Sequence, residues 1–265
     1  MSLCSHARTR HYRHMGEAED KTSSTFVQRV SSGRLHAGAT IMNPRFWKPD
    51  LKADDGPGLV LASVLVGTFL LEMVSGGPIA WGVSSQALRE GRWHTLAAHM
   101  VAHGGIVHLL MNLGALLALS PVVISRLGNG PAGWVRYGAL LVCSGLLGAT
   151  AYLVLHLDGT IPLIGASGAI CGLWGFAARV EADGSFAPLF SKRAGQSTWA
   201  FAKANLILFL LFFVVMWGTG TGSGLAWEAH LGGFLFGLLV GPVWGPSTLP
   251  IAPFHEGDTD TADRP

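Results

Sequence analysis

Charged residues are scarce in this chain. Asp, Glu, Lys and Arg make up 13% of its 265 residues, whereas a soluble globular domain usually carries about a quarter. Hydrophobic residues account for 49% of the chain, and the mean hydropathy is +0.41. The apolar residues are concentrated in long blocks. This composition excludes an ordinary soluble domain and predicts an all-α integral membrane protein.

Cysteine is also scarce, and the net charge is small. The three cysteines, Cys4, Cys143 and Cys171, cannot form a disulfide framework, so they indicate no particular redox compartment. A formal net charge of +2 gives no reason to expect a nucleic-acid partner. The position of the charges along the chain is more informative than their sum.

Both ends of the chain lack long apolar runs. Residues 1–57 are rich in Ser, Arg and His and contain no signal-peptide core, so we expect a disordered cytoplasmic tail. Residues 246–265 predict a second disordered tail. Glu17, Glu19 and Asp20 interrupt the first tail, whereas transit peptides are poor in acids. This favours a bacterial inner membrane over that of an organelle.

Between the tails, residues 58–245 predict one domain of six transmembrane helices. Most of its apolar blocks approach the roughly 20 residues that cross a bilayer as a helix. They cover residues 59–74, 100–125, 134–155, 161–180, 199–217 and 225–244. With both termini cytoplasmic, most Lys and Arg fall inside and only Arg89 and Arg92 fall outside, as the positive-inside rule requires.

One serine stands out in the fourth block, within the stretch LIGASGAICGLWG. A serine in a membrane helix can be purely structural, because its hydroxyl bonds back to the preceding turn. Pro162 and Gly165 disfavour a helix before Ser167, however, while the residues from Gly168 onward suit one. Ser167 is therefore predicted at a helix N-terminus, where free backbone N–H groups could hold an oxyanion.

A nucleophilic serine needs a base, and the sixth block offers His230 in WEAHLGGFLFG. Its alternative role is a histidine satisfied by a hydroxyl or by interfacial water. Gly233 and Gly237 follow His230 at helical spacing, and Gly168 and Gly172 form a matching stripe after Ser167. Two such stripes allow helices to approach closely, which would bring His230 against Ser167.

The second block carries His108 and Asn112, which share one helix face at i, i+4 spacing. They are candidate donors to an oxyanion, or alternatively polar links between helices. His94, His99, His103 and His108 leave open a metal-dependent enzyme or transporter, although few other ligand types accompany them. No metal or other cofactor is expected.

The predicted base has no acidic partner within the blocks. Glu72 and Glu228 lie near block ends, so the sequence indicates a Ser–His dyad and not a triad. The stretch from Gly165 to Ala169 also lacks the last glycine of the G-x-S-x-G turn of soluble hydrolases.

Taken together, these motifs resemble the rhomboid family of intramembrane serine proteases. The matching pieces are H-x4-H-x3-N at His103, His108 and Asn112, G-x-S-G at residues 165–168, and A-H-x-x-G-x3-G at residues 229–237. They follow the family's order on blocks two, four and six. The resemblance implies a six-helix rhomboid-like bundle over residues 58–245.

The resemblance also implies a role for each matching residue. Ser167 would be the nucleophile and His230 the general base and acid, with His108, Asn112 and the Ser167 N–H as the oxyanion hole. His103, Gly165, Gly168, Gly233 and Gly237 would be structural helpers. The implied activity is cleavage of transmembrane protein substrates near the outer membrane face.

Two residues depart from the family pattern. His94 follows Trp93 where the family often has Trp-Arg, and Cys171 stands where an aromatic commonly packs on the catalytic histidine. The alternative function is a non-catalytic rhomboid-like protein that binds membrane clients. It would bind substrate helices equally well with or without the Ser167 hydroxyl.

Overall fold

The structure is a computed structural model that describes residues 56–75, 77–181, 184–219 and 224–244. The predicted tails lie outside the described residues, apart from Gly56 and Pro57, which begin the first helix. Helix is the predominant regular element, and no strand occurs among the residues that are described. The helices, in chain order, are α1 (Gly56–Val74), α2 (Ser85–Arg89), α3 (Thr95–Ala98), α4 (Ile106–Leu127), α5 (Pro131–Leu155), α6 (Ser167–Ala177), α7 (Lys192–Thr219) and α8 (Trp227–Trp244).

Four of these helices are long and apolar enough to cross a membrane. They are α1, α4, α5 and the Lys192–Val214 part of α7. The prediction of an all-helical membrane fold is therefore confirmed. The six-span count and the cytoplasmic position of both termini stay predictions.

Two apolar blocks form shorter helices than their hydropathy predicted. The second block begins at residue 100, but α4 begins at Ile106, because Gly105 at φ +141° interrupts the helix. The fourth block covers residues 161–180, yet α6 has only 11 residues, about 17 Å at the usual rise of ~1.5 Å per residue. Extended backbone precedes α6, where Leu163 pairs with Val83 in an antiparallel bridge.

The short helix α6 is the centre of the bundle. None of its residues is exposed, and it packs against α8, α5 and α4. Arg179, just after the C-terminal end of α6, donates hydrogen bonds to the carbonyls of Ala187 and Leu238. These bonds fix the position of that end of the helix. α7 contrasts with α6, because most of its apolar side chains face outward.

Glycines allow α6 and α8 to touch through their backbones. A methyl group on Gly233 would collide with the carbonyl of Gly168, and one on Gly237 would collide with the carbonyl of Gly172. A methyl group on Gly168 would lie 3.2 Å from the carbonyl oxygen of Ala229. Any larger residue at these positions would separate the two helices.

The segment between α1 and α4, residues 77–105, folds back onto the bundle. It contains a 3-10 turn at Pro78–Trp81 and the short helices α2 and α3. Ser84 caps α2 by accepting a hydrogen bond from the Ala87 N–H at 3.0 Å. The buried Glu72 at the end of α1 accepts a hydrogen bond from the His103 N–H at 3.1 Å. This segment thus brings His103 beside His108 of α4, and it brings the His99 carbonyl beside Gly165, just before α6.

We expect Gly237→Ala to destabilise the protein by about 1–3 kcal/mol, the usual cost of overpacking. The matched control is Gly114→Ala on α4, where an added methyl group meets nothing within 4 Å. Thermal unfolding in mild detergent should show a lower midpoint for the first variant and an unchanged or slightly higher one for the second. Equal midpoints would contradict backbone contact between α6 and α8.

Candidate active site

A hydrogen bond joins α6 and α8 near the N-terminal ends of both helices. The Nε2 atom of His230 lies 2.8 Å from the Oγ atom of Ser167. His230 is only 5% exposed, so bulk water does not compete for its ring. The glycine contact one turn further along α8 fixes the distance between the two helices. The two side chains are thus held at the spacing of an activated nucleophile and its base.

Ser167 is the first residue of α6, as Pro162 and Gly165 predict. Gly165 adopts φ +116°, a conformation that L side chains rarely adopt, and its N–H donates to the carbonyl of His99 at 2.8 Å. The first intrahelical bond runs from the Ile170 N–H to the Ala166 carbonyl at 2.9 Å. The preceding N–H groups of the first turn have no intrahelical acceptor, as at any helix start. They belong to the turn that begins with Ser167.

The imidazole of His108 approaches the same place from α4. A methyl carbon on Gly165 would lie 2.7 Å from His108 Nε2 and 3.7 Å from Ser167 Oγ. The Gly104 N–H donates to His108 Nδ1 at 3.4 Å, so Nδ1 is the unprotonated nitrogen. The proton is then on Nε2, on the side that faces Ser167. His108 can therefore donate a hydrogen bond to an oxygen beside the serine.

Asn112 follows one turn later on α4 and is buried. Its Nδ2 atom donates a hydrogen bond to the carbonyl of His108 at 3.0 Å. This contact is with the backbone of its own helix, and it leaves a second N–H on Nδ2. A direct role of Asn112 at the serine stays a prediction.

The ring of His103 packs against the ring of His108. The two rings meet edge to face, with centroids 5.2 Å apart. The Nδ1 of His103 lies 3.1 Å from the Val101 carbonyl, and burial lowers the pKa of His103 to about 4. The ring is thus neutral at physiological pH, which suits a packing partner. Its role as a structural helper stays a prediction, as do those of Gly165, Gly168, Gly233 and Gly237.

Asn205 of α7 is the site residue that the sequence analysis missed. Its Oδ1 atom lies 2.6 Å from Nδ1 of His230, on the side of the ring away from Ser167. The available signal was the single amide within the apolar block of residues 199–217, since polar groups at membrane depth are functional candidates by default. Only the fold shows that this amide faces α8.

The histidines give no support to a metal centre. Among the residues that the structure describes, no three His, Cys, Asp or Glu side chains are arranged to hold a metal ion. The Nδ1 of His99 lies 3.1 Å from the Thr95 carbonyl, and that of His103 faces the Val101 carbonyl. These two rings are therefore engaged by the backbone of their own segment.

The two departures from the family pattern occupy different parts of the molecule. Cys171 packs on the side of α6 that faces Phe201 and Phe234. His94 precedes the short helix α3, and Trp93 beside it is 63% exposed. Arg92 forms an ion pair with Glu90 at 2.9 Å. None of these side chains has a hydrogen bond with Ser167 or His230.

Comparison with known proteins matches the chain to the family model described as the Rhomboid domain, over residues 90–247. RHOMBOID-like protein 4 of Arabidopsis thaliana is 32% identical over 149 residues, which are 56% of this chain and 33% of that protein. RHOMBOID-like protein 5 of the same plant is 28% identical over 155 residues, 58% of this chain and 45% of that protein. Rhomboid protease GluP of Bacillus subtilis (strain 168) is 32% identical over 123 residues, 44% of this chain and 23% of that protein.

The matched segments thus make up less than half of each of these relatives. The Rhomboid domain, in contrast, covers more than half of this chain and includes every residue of the site described above. The long apolar helices and the family match together identify an integral, multi-pass membrane protein, and the chain belongs to the rhomboid family.

Proposed function

We propose that this protein is an intramembrane serine endopeptidase that cleaves transmembrane proteins through a Ser167–His230 dyad. The observation that carries the proposal is the 2.8 Å contact between Ser167 Oγ and His230 Nε2. It lies at a helix N-terminus, where the first-turn N–H groups can hold an oxyanion. The name of the Bacillus relative, a rhomboid protease, agrees with this activity.

The first step is acylation of the serine. Ser167 Oγ attacks the carbonyl carbon of a substrate peptide while its proton passes to His230 Nε2. The carbonyl oxygen becomes an oxyanion, which accepts hydrogen bonds from the Ser167 N–H, from His108 Nε2–H and from the second N–H of Asn112. The imidazolium of His230 then gives its proton to the leaving amine, and the C–N bond breaks.

Hydrolysis of the acyl-enzyme repeats the same steps with water as the nucleophile. His230 takes a proton from the water molecule and returns it to Ser167 Oγ when the acyl group leaves. The same oxyanion donors act in both halves of the reaction. No residue of α6 is exposed, so we place the site away from the lipid.

The topology and location of the enzyme belong to the same proposal. We place six spans in the membrane, with α6 and α8 as the two beyond the four long helices, and both termini in the cytoplasm. The distribution of Lys and Arg supports this orientation. The acidic residues in the first tail support a bacterial inner membrane, although the relatives include plant proteins.

Labelling of the purified protein by a fluorophosphonate probe tests the dyad without a known substrate. We expect labelling of the wild type and none of Ser167→Ala or His230→Ala, because the probe reacts only with an activated serine. Each variant should unfold at a temperature close to that of the wild type in the same detergent. A folded wild type that takes up no label would contradict the protease proposal and favour the client-binding alternative.

The position of His108 gives a second prediction. Gly165→Ala should slow labelling by about 10²–10³-fold, the usual effect of losing one oxyanion donor, because the new methyl group would push His108 from the serine. Gly91→Ala is the matched control, since Gly91 also has a positive φ (+79°) but no neighbour within 4 Å. Both variants carry backbone strain, but only the first disturbs His108. Equal rates for the two variants would rule out the steric explanation.

A further inference from the structure

We propose that Asn205 of α7 is a positioning residue for His230, which fixes its tautomer and supports its protonated form during the reaction. This inference rests on the proposed Ser167–His230 dyad. Its starting point is the 2.6 Å distance between Asn205 Oδ1 and His230 Nδ1. Asn205 does not contact Ser167, so it would act through the histidine alone.

The orientation of the Asn205 amide follows from its second contact. Its Nδ2 atom donates a hydrogen bond to the carbonyl of Phe201, one turn earlier on α7, at 3.0 Å. A flipped amide would point its oxygen at that carbonyl, which cannot donate a hydrogen bond. The backbone of α7 therefore holds Oδ1 toward the imidazole.

This orientation determines which nitrogen of His230 carries the proton. Oδ1 is an acceptor only, so the 2.6 Å contact requires a proton on Nδ1. Nε2 is then unprotonated and accepts the hydrogen bond from the Ser167 hydroxyl. That tautomer is the one a general base needs, because the opposite tautomer presents an N–H to the serine and cannot take its proton.

Asn205 also acts after proton transfer. When Nε2 takes the serine proton, the ring becomes a cation in a buried place, and a charged group there needs a strong hydrogen bond. The nearest acid along α8, Glu228, lies 3.8 Å from His156 and belongs to a separate pair. Asn205 Oδ1 is therefore the acceptor that receives the Nδ1–H of the imidazolium.

An aromatic stack fixes the position of α7 against α8 beside this hydrogen bond. Phe201 of α7 and Phe234 of α8 stack with their centroids 4.0 Å apart. Asn205 follows Phe201 by four residues on α7, and His230 precedes Phe234 by four residues on α8. Because the two helices run antiparallel, the Phe201–Phe234 contact and the Asn205–His230 contact lie one helical turn apart. Trp174 of α6 packs edge to face on Phe201. The amide is thus aimed by a packed contact and not by a flexible loop.

The decisive variant is Asn205→Leu, which keeps the branched shape and the number of heavy atoms but removes the acceptor and excludes a substituting water molecule. We expect its fluorophosphonate labelling rate to fall about 10- to 100-fold, the usual effect of losing a hydrogen bond to a charged group. Asn205→Asp restores an acceptor oxygen and should label at least about tenfold faster than Asn205→Leu. Asn205→Ala serves as a second apolar variant if Asn205→Leu does not fold.

Ser197→Ala is the matched control for interhelical packing. Ser197 lies two turns before Asn205 on α7 and accepts a hydrogen bond from Trp174 Nε1 at 3.2 Å, far from the imidazole. Its loss should leave the labelling rate unchanged. Equal rates for wild type and Asn205→Leu, or no gain in Asn205→Asp, would overturn the inference.

The tautomer of His230 can be measured directly by NMR, and this measurement does not require catalytic activity. In protein labelled with ¹⁵N-histidine, the His230 ring, assigned by its absence in His230→Ala, should carry its proton on Nδ1. In Asn205→Leu that proton should shift in part to Nε2. An unchanged tautomer would overturn the inference even if the wild type takes up no label, whereas an unreactive wild type with the expected tautomer would contradict only the proposed protease activity.

Discussion

Backbone contact between α6 and α8 is the constraint on which the rest of the site depends. Glycines at 168, 172, 233 and 237 remove the side chains that would otherwise separate the two helices. In a bilayer there is little hydrophobic force to pull helices together, so close packing of this kind supplies much of the attraction. Because Ser167 begins one of these helices and His230 lies near the start of the other, the same contact that stabilises the bundle sets the distance between hydroxyl and imidazole.

A chain of hydrogen bonds extends from this contact across three helices. It runs from the Phe201 carbonyl through the amide of Asn205 and the ring of His230 to the hydroxyl of Ser167. The two inner members, Asn205 and His230, each have a partner on either side, so the direction of both of their hydrogen bonds is determined. A buried network with satisfied members is rigid, while one with an unpaired member is costly. The order of this part of the site therefore follows from the pairing of Asn205 and His230 in an apolar surrounding.

The segment of residues 77–105, which borders the site, is held in place in a different way. Residues 77–105 carry no long helix, and they are held by contacts to the bundle: the Val83–Leu163 bridge, the Glu72 carboxylate at the His103 N–H, and the His99 carbonyl at the Gly165 N–H. These contacts keep the backbone before Ser167 extended, so that α6 starts at the serine. They also bring His103 against His108 and so support the ring that faces the serine.

Apolar blocks, glycine spacing and the isolated polar residues determined the membrane class, the family and the pairing of Ser167 with His230, because each depends on side-chain type and helical periodicity along one stretch of chain. Helix length was harder to predict from the sequence. The apolar run of residues 161–180 contains a helix of only 11 residues, since hydropathy does not distinguish extended backbone buried against a neighbouring segment from helix. Only the tertiary structure decided that Asn205 faces His230 and that Glu72 accepts from His103. Both contacts join distant helices and segments, and which face of α7 or α1 points inward depends on packing that no single stretch of sequence encodes.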